Sequence, residues 1–212
     1  MKTTNFILAF IIVFNVVVLA NDGKYLETMQ QNIQTVYTAQ TIPELQNVVN
    51  TFERIGNAEK TKWEPFYYAS FGYIMMANKA EPTKKDSYLD LADASLKKAK
   101  AVVVDESEVV ALEGFIQMLR ISVDPATRGQ KYSSMSMQSL GTAIALNPEN
   151  PRALALMAQM QYGTAQFFKS PTDEACSTAS KAIEKFDTYT SSNPLAPRWG
   201  KSMTVELKGA CK

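Results

Sequence analysis

Two residues of this chain are equipped for covalent chemistry, Cys176 and Cys211. Cys176 falls near the start of one helical stretch, and Cys211 lies about 14 residues beyond Pro197 on a stretch that turns back. A helix rises about 1.5 Å per residue, so the two sulfurs arrive at similar heights. In an oxidising compartment the expected product is a disulfide. The other reading is two separate thiols, one buried and one on a loose tail.

Nucleophilic and metal chemistry find little support. Ser133, Ser134, Ser136 and Ser139 form a cluster, but no glycine elbow surrounds them and the chain contains no histidine. The commonest general base and the commonest metal ligand are thereby missing. Two cysteines cannot complete a four-ligand zinc site without histidines or carboxylates beside them. Asp105 and Glu106 read as loop and cap residues, without the spacing of a calcium loop. No catalytic residue, no metal site and no cofactor is expected, and the chain is not read as an enzyme.

Binding chemistry is better represented. Trp63, Phe66, Tyr67, Tyr68, Phe71 and Tyr73 make a dense aromatic run. Adjacent aromatics on a helix cannot all face one side, so Tyr67 or Tyr68 is expected to reach a surface, where tyrosine anchors ligands at low entropic cost. The plainer reading is packing against the first helix pair. Gln117, Arg120, Gln159 and Gln161 could read a ligand in a groove, or form an ordinary solvated face. The candidate binding set is therefore Trp63, Tyr67, Tyr68, Arg120, Gln159 and Gln161.

The elements that must position these residues are helices. Apolar residues recur at helical spacing between turn signals, and long alternating strand patterns are missing. Helices are expected over 24–39, from Pro43 to a closing Gly56, over 64–79 and over 85–104. A fifth follows a Ser107 cap and ends near Val123, and a sixth runs from Gln130 to Leu146. Asn150-Pro151 opens a seventh that reaches Phe168, and Ser170-Pro171 opens an eighth. Ser191 to Pro197 reads as a loop before a short helix from Arg198 to Lys208.

A 42-residue echo organises these helices: Ala69, Ala111 and Ala153 coincide at that period, as do Tyr73, Phe115 and Met157, and Met76, Met118 and Met160. Such a period marks stacked helix pairs rather than a single-core enzyme fold. Small residues in register allow close helix approach, and the methionines fill the space beside them.

Whole-chain properties narrow the setting. The chain has 212 residues, 46% of them apolar, which suits a folded domain. Lys2 precedes an apolar run from Phe6 to Leu19, and Val18-Leu19-Ala20 offers a cleavage motif, so a signal peptide over residues 1–20 is expected, cut between Ala20 and Asn21. The run is shorter than the roughly 20 residues of a membrane span, so the mature chain has none. Cleavage removes only Lys2 from 22 basic residues, leaving 21 against 21 acidic ones. A neutral chain has no broad electrostatic reason to hold nucleic acid. The localisation read from these features is exported, periplasmic or secreted.

The stretch from Leu140 to Met160, LGTAIALNPENPRALALMAQM, resembles the junction of two tetratricopeptide repeats. Ala143, Leu146, Asn147, Pro148, Leu154, Met157 and Ala158 fill the small, large and Asn-Pro places of that family's pattern. Its departures are a period of 42 instead of the family's 34, Glu106 in the place of a second proline, and Ile116 where a small residue belongs; repeats of HEAT type have a similar length. The resemblance covers about residues 63–190, with an N-terminal helix pair over 21–62 and a capping helix and tail over 191–212. It implies an all-α, right-handed α-α superhelix, a tetratricopeptide-like solenoid of about four helix pairs plus a C-terminal helix. It also implies a partner protein or peptide bound on the concave face. The alternative is a carrier or envelope factor for a small hydrophobic or glycan ligand, using the Trp63–Tyr73 aromatics.

Overall fold

Proline and its neighbours set the helix starts. Thr41 caps α2 (Ile42–Ala58) in a reciprocal box with Glu44, whose carboxylate accepts from the Thr41 N–H. Asp124 accepts from the Thr127 N–H and starts α6 (Pro125–Leu146), five residues before the expected start at Gln130. Asn150 accepts from the Arg152 and Ala153 N–H groups and starts α7 (Pro151–Phe168). With α1 (22–38), α3 (Glu64–Lys79), α4 (Pro82–Val102), α5 (Ser107–Ile121), α8 (Asp173–Thr188) and α9 (Lys201–Ala210), there are nine helices among the described residues. This computed structural model describes residues 22–211, so the expected signal peptide and its Ala20–Asn21 cleavage site lie outside it. Among the described residues no helix is long and apolar enough to cross a membrane.

The helices pack as successive antiparallel pairs, α1–α2, α3–α4, α5–α6 and α7–α8, with α9 against α7 and α8. The architecture is the tetratricopeptide-like superhelix that the repeat resemblance implies. Ala69, Ala111 and Ala153 are all fully buried at the helix contacts, and Met76 and Met160 are buried beside them. Gly114 lets α6 approach closely, since a Cβ there would come within 2.7 Å of the Leu140 side chain.

The Asn147–Pro151 junction is held by a buried relay. Asn150 donates to the Ser107 hydroxyl at 2.9 Å, and Ser107 donates to the Ala143 carbonyl at 2.8 Å. Ser107 is thus a tie between α5 and α6 instead of the α5 cap. The Glu106 carboxylate caps α5 by accepting from the Glu108 N–H. Gly56 does not end α2 either. It sits inside the helix, where a larger side chain would meet the Phe66 ring. The serine cluster is structural: Ser136 donates to the Gly114 carbonyl and Ser139 to the Gln117 side chain.

Candidate functional site

The first helices of the pairs, α1, α3, α5 and α7, present one common face. The segment between α8 and α9, residues 189–200, crosses all four of them. Its Arg198 N–H donates to the Tyr37 hydroxyl of α1 at 3.1 Å. Three contacts reach α3: Asn193 donates to the Glu64 carboxylate at 3.0 Å, the Leu195 carbonyl accepts from Tyr68 at 2.7 Å, and Trp199 donates from its indole nitrogen to Tyr67 at 3.0 Å. At α7 the Tyr189 ring covers the Arg152 guanidinium at 4.6 Å. Gly200 ends the crossing with φ +107, a conformation that suits glycine, and a Cβ there would meet the Phe186 ring at 2.9 Å.

Trp199 is the centre of this arrangement. Its ring stacks on Phe71 of α3, with centroids 5.4 Å apart at 21°, and on Phe115 of α5, 5.5 Å apart at 23°. Offset stacking of this kind is the favoured geometry for aromatic pairs. Tyr37 closes the side of the slot edge-on to both Phe71 and Tyr68. One flat aromatic layer is thus stacked on two phenyl rings in this slot, bordered by three phenolic hydroxyls. Phe71 and Phe115 are buried, whereas Trp199 is only partly so.

Burial sets the protonation of these groups. Desolvation raises the pKa of Tyr67 and Tyr68 well above the ordinary value, and that of Tyr37 as well. Their hydroxyls stay neutral hydrogen-bonding groups at ordinary pH. Arg152 donates through Nε and Nη2 to Glu108. Burial disfavours the guanidinium charge, but the hydrogen bonds and charge of Glu108 together outweigh it and leave its pKa raised.

At the α1 end the segment is undercut. A cleft of about 260 Å³ lies among Tyr25, Leu26, Lys62, Glu64 and Asn193–Leu195. The Tyr25 hydroxyl and the Glu64 Oε2 are buried there without a hydrogen-bond partner.

The six residues singled out from sequence do not form one site. Tyr67 and Tyr68 are both fully buried, contrary to the expectation that one would reach a surface. The reason is that α3 is covered on every side. Tyr68 stacks on Phe52 of α2, and Tyr67 lies under Trp63 and Trp199. Trp63 is partly buried against the same core. Arg120 points away from this face and clamps α5 to α4, with Asp90 at 2.7 Å and Asp86 and Asp93 each at 3.5 Å. Gln159 is half-buried on α7, and Gln161 donates to Glu174 of α8 at 2.7 Å. Cys176 and Cys211 form a disulfide that fastens α9 to α8.

Sequence reading missed Phe71 and Phe115 as the lining of the slot and Trp199 as the ring stacked on them. One signal was there: Leu195 and Trp199 are large apolar residues in an otherwise polar, proline-broken stretch.

No family model matches this sequence, and no curated protein matches it. Solved structures do. The chain is similar to the HusA haemophore from Porphyromonas gingivalis, at 30% identity and a TM-score of 0.79, over 89% of this chain and 92% of that one. It is also similar in fold to a thermophilic TPR protein of Thermus thermophilus, at 17% identity and a TM-score of 0.57, over 92% and 94% of the two chains.

Proposed function

This chain belongs to the family of the HusA haemophore, and from that premise we propose that it is an exported carrier whose cargo is a flat tetrapyrrole such as haem. The observation that carries the reading is the Phe71 and Phe115 pair, on which a planar aromatic ring is already stacked. A porphyrin is one aromatic layer thick, like an indole, and offers two large faces for stacking. The small-ligand reading thereby moves ahead of the peptide reading.

The donor set suits recognition of the ring more than of its metal. Haem iron is usually held by histidine, thiolate, methionine or tyrosine. The chain has no histidine, and both cysteines are bridged. Burial keeps Tyr67 and Tyr68 as neutral phenols, which are poor ligands for ferric iron. Stacking and apolar burial then supply most of the affinity, with phenolic hydroxyls available to the carboxylates at the ring edge.

The test is titration with Fe(III) protoporphyrin and with metal-free protoporphyrin IX. Both are expected to bind with affinities within about tenfold of each other, a difference of about 1.4 kcal/mol. Failure of both to bind overturns the carrier reading, and binding of Fe(III) protoporphyrin alone overturns recognition through the ring. A protein or peptide partner stays as a second reading because the same face accommodates an extended stretch of chain, residues 189–200. Recovery of one stoichiometric partner from the native environment, without a bound pigment, would favour it.

A further inference from the structure

The geometry points to residues 189–200 as a displaceable plug, with Trp199 keeping the place that the ring of the cargo takes against Phe71 and Phe115. This rests on the carrier reading above and adds to it the binding site and the way the site opens.

Four observations carry it. First, Trp199 already occupies the stacking position on both Phe71 and Phe115, so a second ring stacks there only if Trp199 leaves. Second, the segment lies on side chains of the helices beneath it. Its polar contacts with them go to the Tyr37, Tyr67 and Tyr68 hydroxyls and the Glu64 carboxylate. Lifting it therefore leaves every helix ladder intact, the condition for a local opening distinct from global unfolding. Third, the packing below it is imperfect at one end, where a cleft and two unpartnered polar atoms, the Tyr25 hydroxyl and Glu64 Oε2, lie beside Asn193. Fourth, both ends are anchored. Helix α8 holds one end, and the Cys176–Cys211 bridge holds α9 against α8 at the other. The plug can bulge away and still return to the slot when the cargo departs.

Opening changes the chemistry of the face. Tyr68 gives up the Leu195 carbonyl and becomes a free donor, and the Tyr37 and Tyr67 hydroxyls lose the Arg198 and Trp199 donors. Three phenols then border the apolar faces of Phe71 and Phe115, which Leu195 uncovers as it moves with Trp199. A closed plug also lowers the apparent affinity, because only the open fraction binds. Removing the plug's ring should thus tighten binding; if Trp199 were itself a ligand contact, its removal would weaken binding.

The experiment uses the full mature chain with metal-free protoporphyrin IX and Fe(III) protoporphyrin as probes. Hydrogen exchange of residues 190–200 in the wild type is expected to speed up when either probe binds. Trp199→Ala is expected to tighten binding about tenfold and Phe115→Ala to weaken it about tenfold. Circular dichroism checks that each variant is folded, and Trp199→Leu, which also removes the ring, serves if the alanine variant is not. Phe167→Ser and Phe168→Ser, at exposed rings on the α7 end, are expected to leave affinity unchanged. Binding by the wild type with exchange of 190–200 unchanged or slowed overturns the plug and leaves the carrier reading standing. Loss of binding on Phe167→Ser or Phe168→Ser likewise moves the site elsewhere. No binding of either probe by the wild type overturns both.

Discussion

Arg152 of α7 and Glu108 of α5 form a two-point ion pair, Nε to Oε2 at 2.7 Å and Nη2 to Oε1 at 2.5 Å, beneath the Tyr189 ring. Both residues are buried, so neither charge has water to fall back on. Removing one partner strands the other, which costs far more than the pair contributes in net terms. Glu108→Ala is expected to lower stability by about 3–5 kcal/mol, read as a shift of the denaturation midpoint. Replacing both residues with apolar ones of similar volume should recover much of that loss. A loss in the double variant equal to the sum of the two single losses would show that the pair is not coupled.

The Cys176–Cys211 bridge closes a loop of 35 residues, with the Cα atoms 5.8 Å apart. The chain-entropy model assigns about 4 kcal/mol to a loop of that length, and engineered cases commonly deliver less. A Cys176→Ser, Cys211→Ser double variant is expected to unfold about 2–4 kcal/mol more easily. Its α9 and residues 189–200 should exchange faster than α3 and α5. Uniform acceleration across the chain would mean that the bridge secures the whole stack instead of its last turns.

Close helix approach at Gly114 predicts intolerance of a single methyl group. The Cβ of Gly114→Ala would press on Leu140, which is itself fully buried. Overpacking of this kind costs about 1–3 kcal/mol. Gly141→Ala, at an exposed helical position with open space, should instead be neutral or slightly stabilising. Thermal midpoints of the two variants, compared with the wild type, check the contrast.

The buried tyrosines predict an alkaline transition. Tyr67, Tyr68, Tyr37 and Tyr25 all have pKa values raised in the folded chain, with desolvation the largest cause. In the unfolded chain they ionise at the ordinary value of about 10. The unfolded state therefore loses protons first, and the stability these groups support is complete below about pH 10 and falls as pH rises toward their folded values. Tyrosinate absorbance should appear together with loss of helical dichroism. Ionisation of all nine tyrosines with helicity intact would contradict their burial.

Much of the fold was legible because its signals are local. Apolar stripes such as Leu45, Val48, Val49 and Phe52 lie on one helical face whatever the neighbours are. Asn150 caps and Pro151 starts a helix for reasons contained within a few residues. Ser107 and Gly56 depart from their local reading because each type has a local use and a tertiary one. At Ser107 the carbonyl of Ala143 competes with the cap, and at Gly56 the Phe66 ring requires a residue without a side chain.

The site was less legible. Tyr67 and Tyr68 carry the composition of a binding surface, yet lie beneath the chain's own C-terminal segment. Arg120 has the character of a groove residue and is an α4–α5 clamp. No periodic pattern marks Trp199, because its partners Phe71 and Phe115 are far away in sequence and belong to other helices.

The sequence by itself determined the helices, their pairing and the 42-residue stacking, because helix formation and small-residue packing depend on spacing along the chain. Tertiary structure alone decided that residues 189–200 fold back over α1, α3, α5 and α7 and place an indole in the slot. That outcome depends on the cover Trp199 and Leu195 find on helices far earlier in the chain, and on a bridge that holds α9 within reach. Burial of apolar surface is non-directional, so no local pattern can say which distant face will receive it.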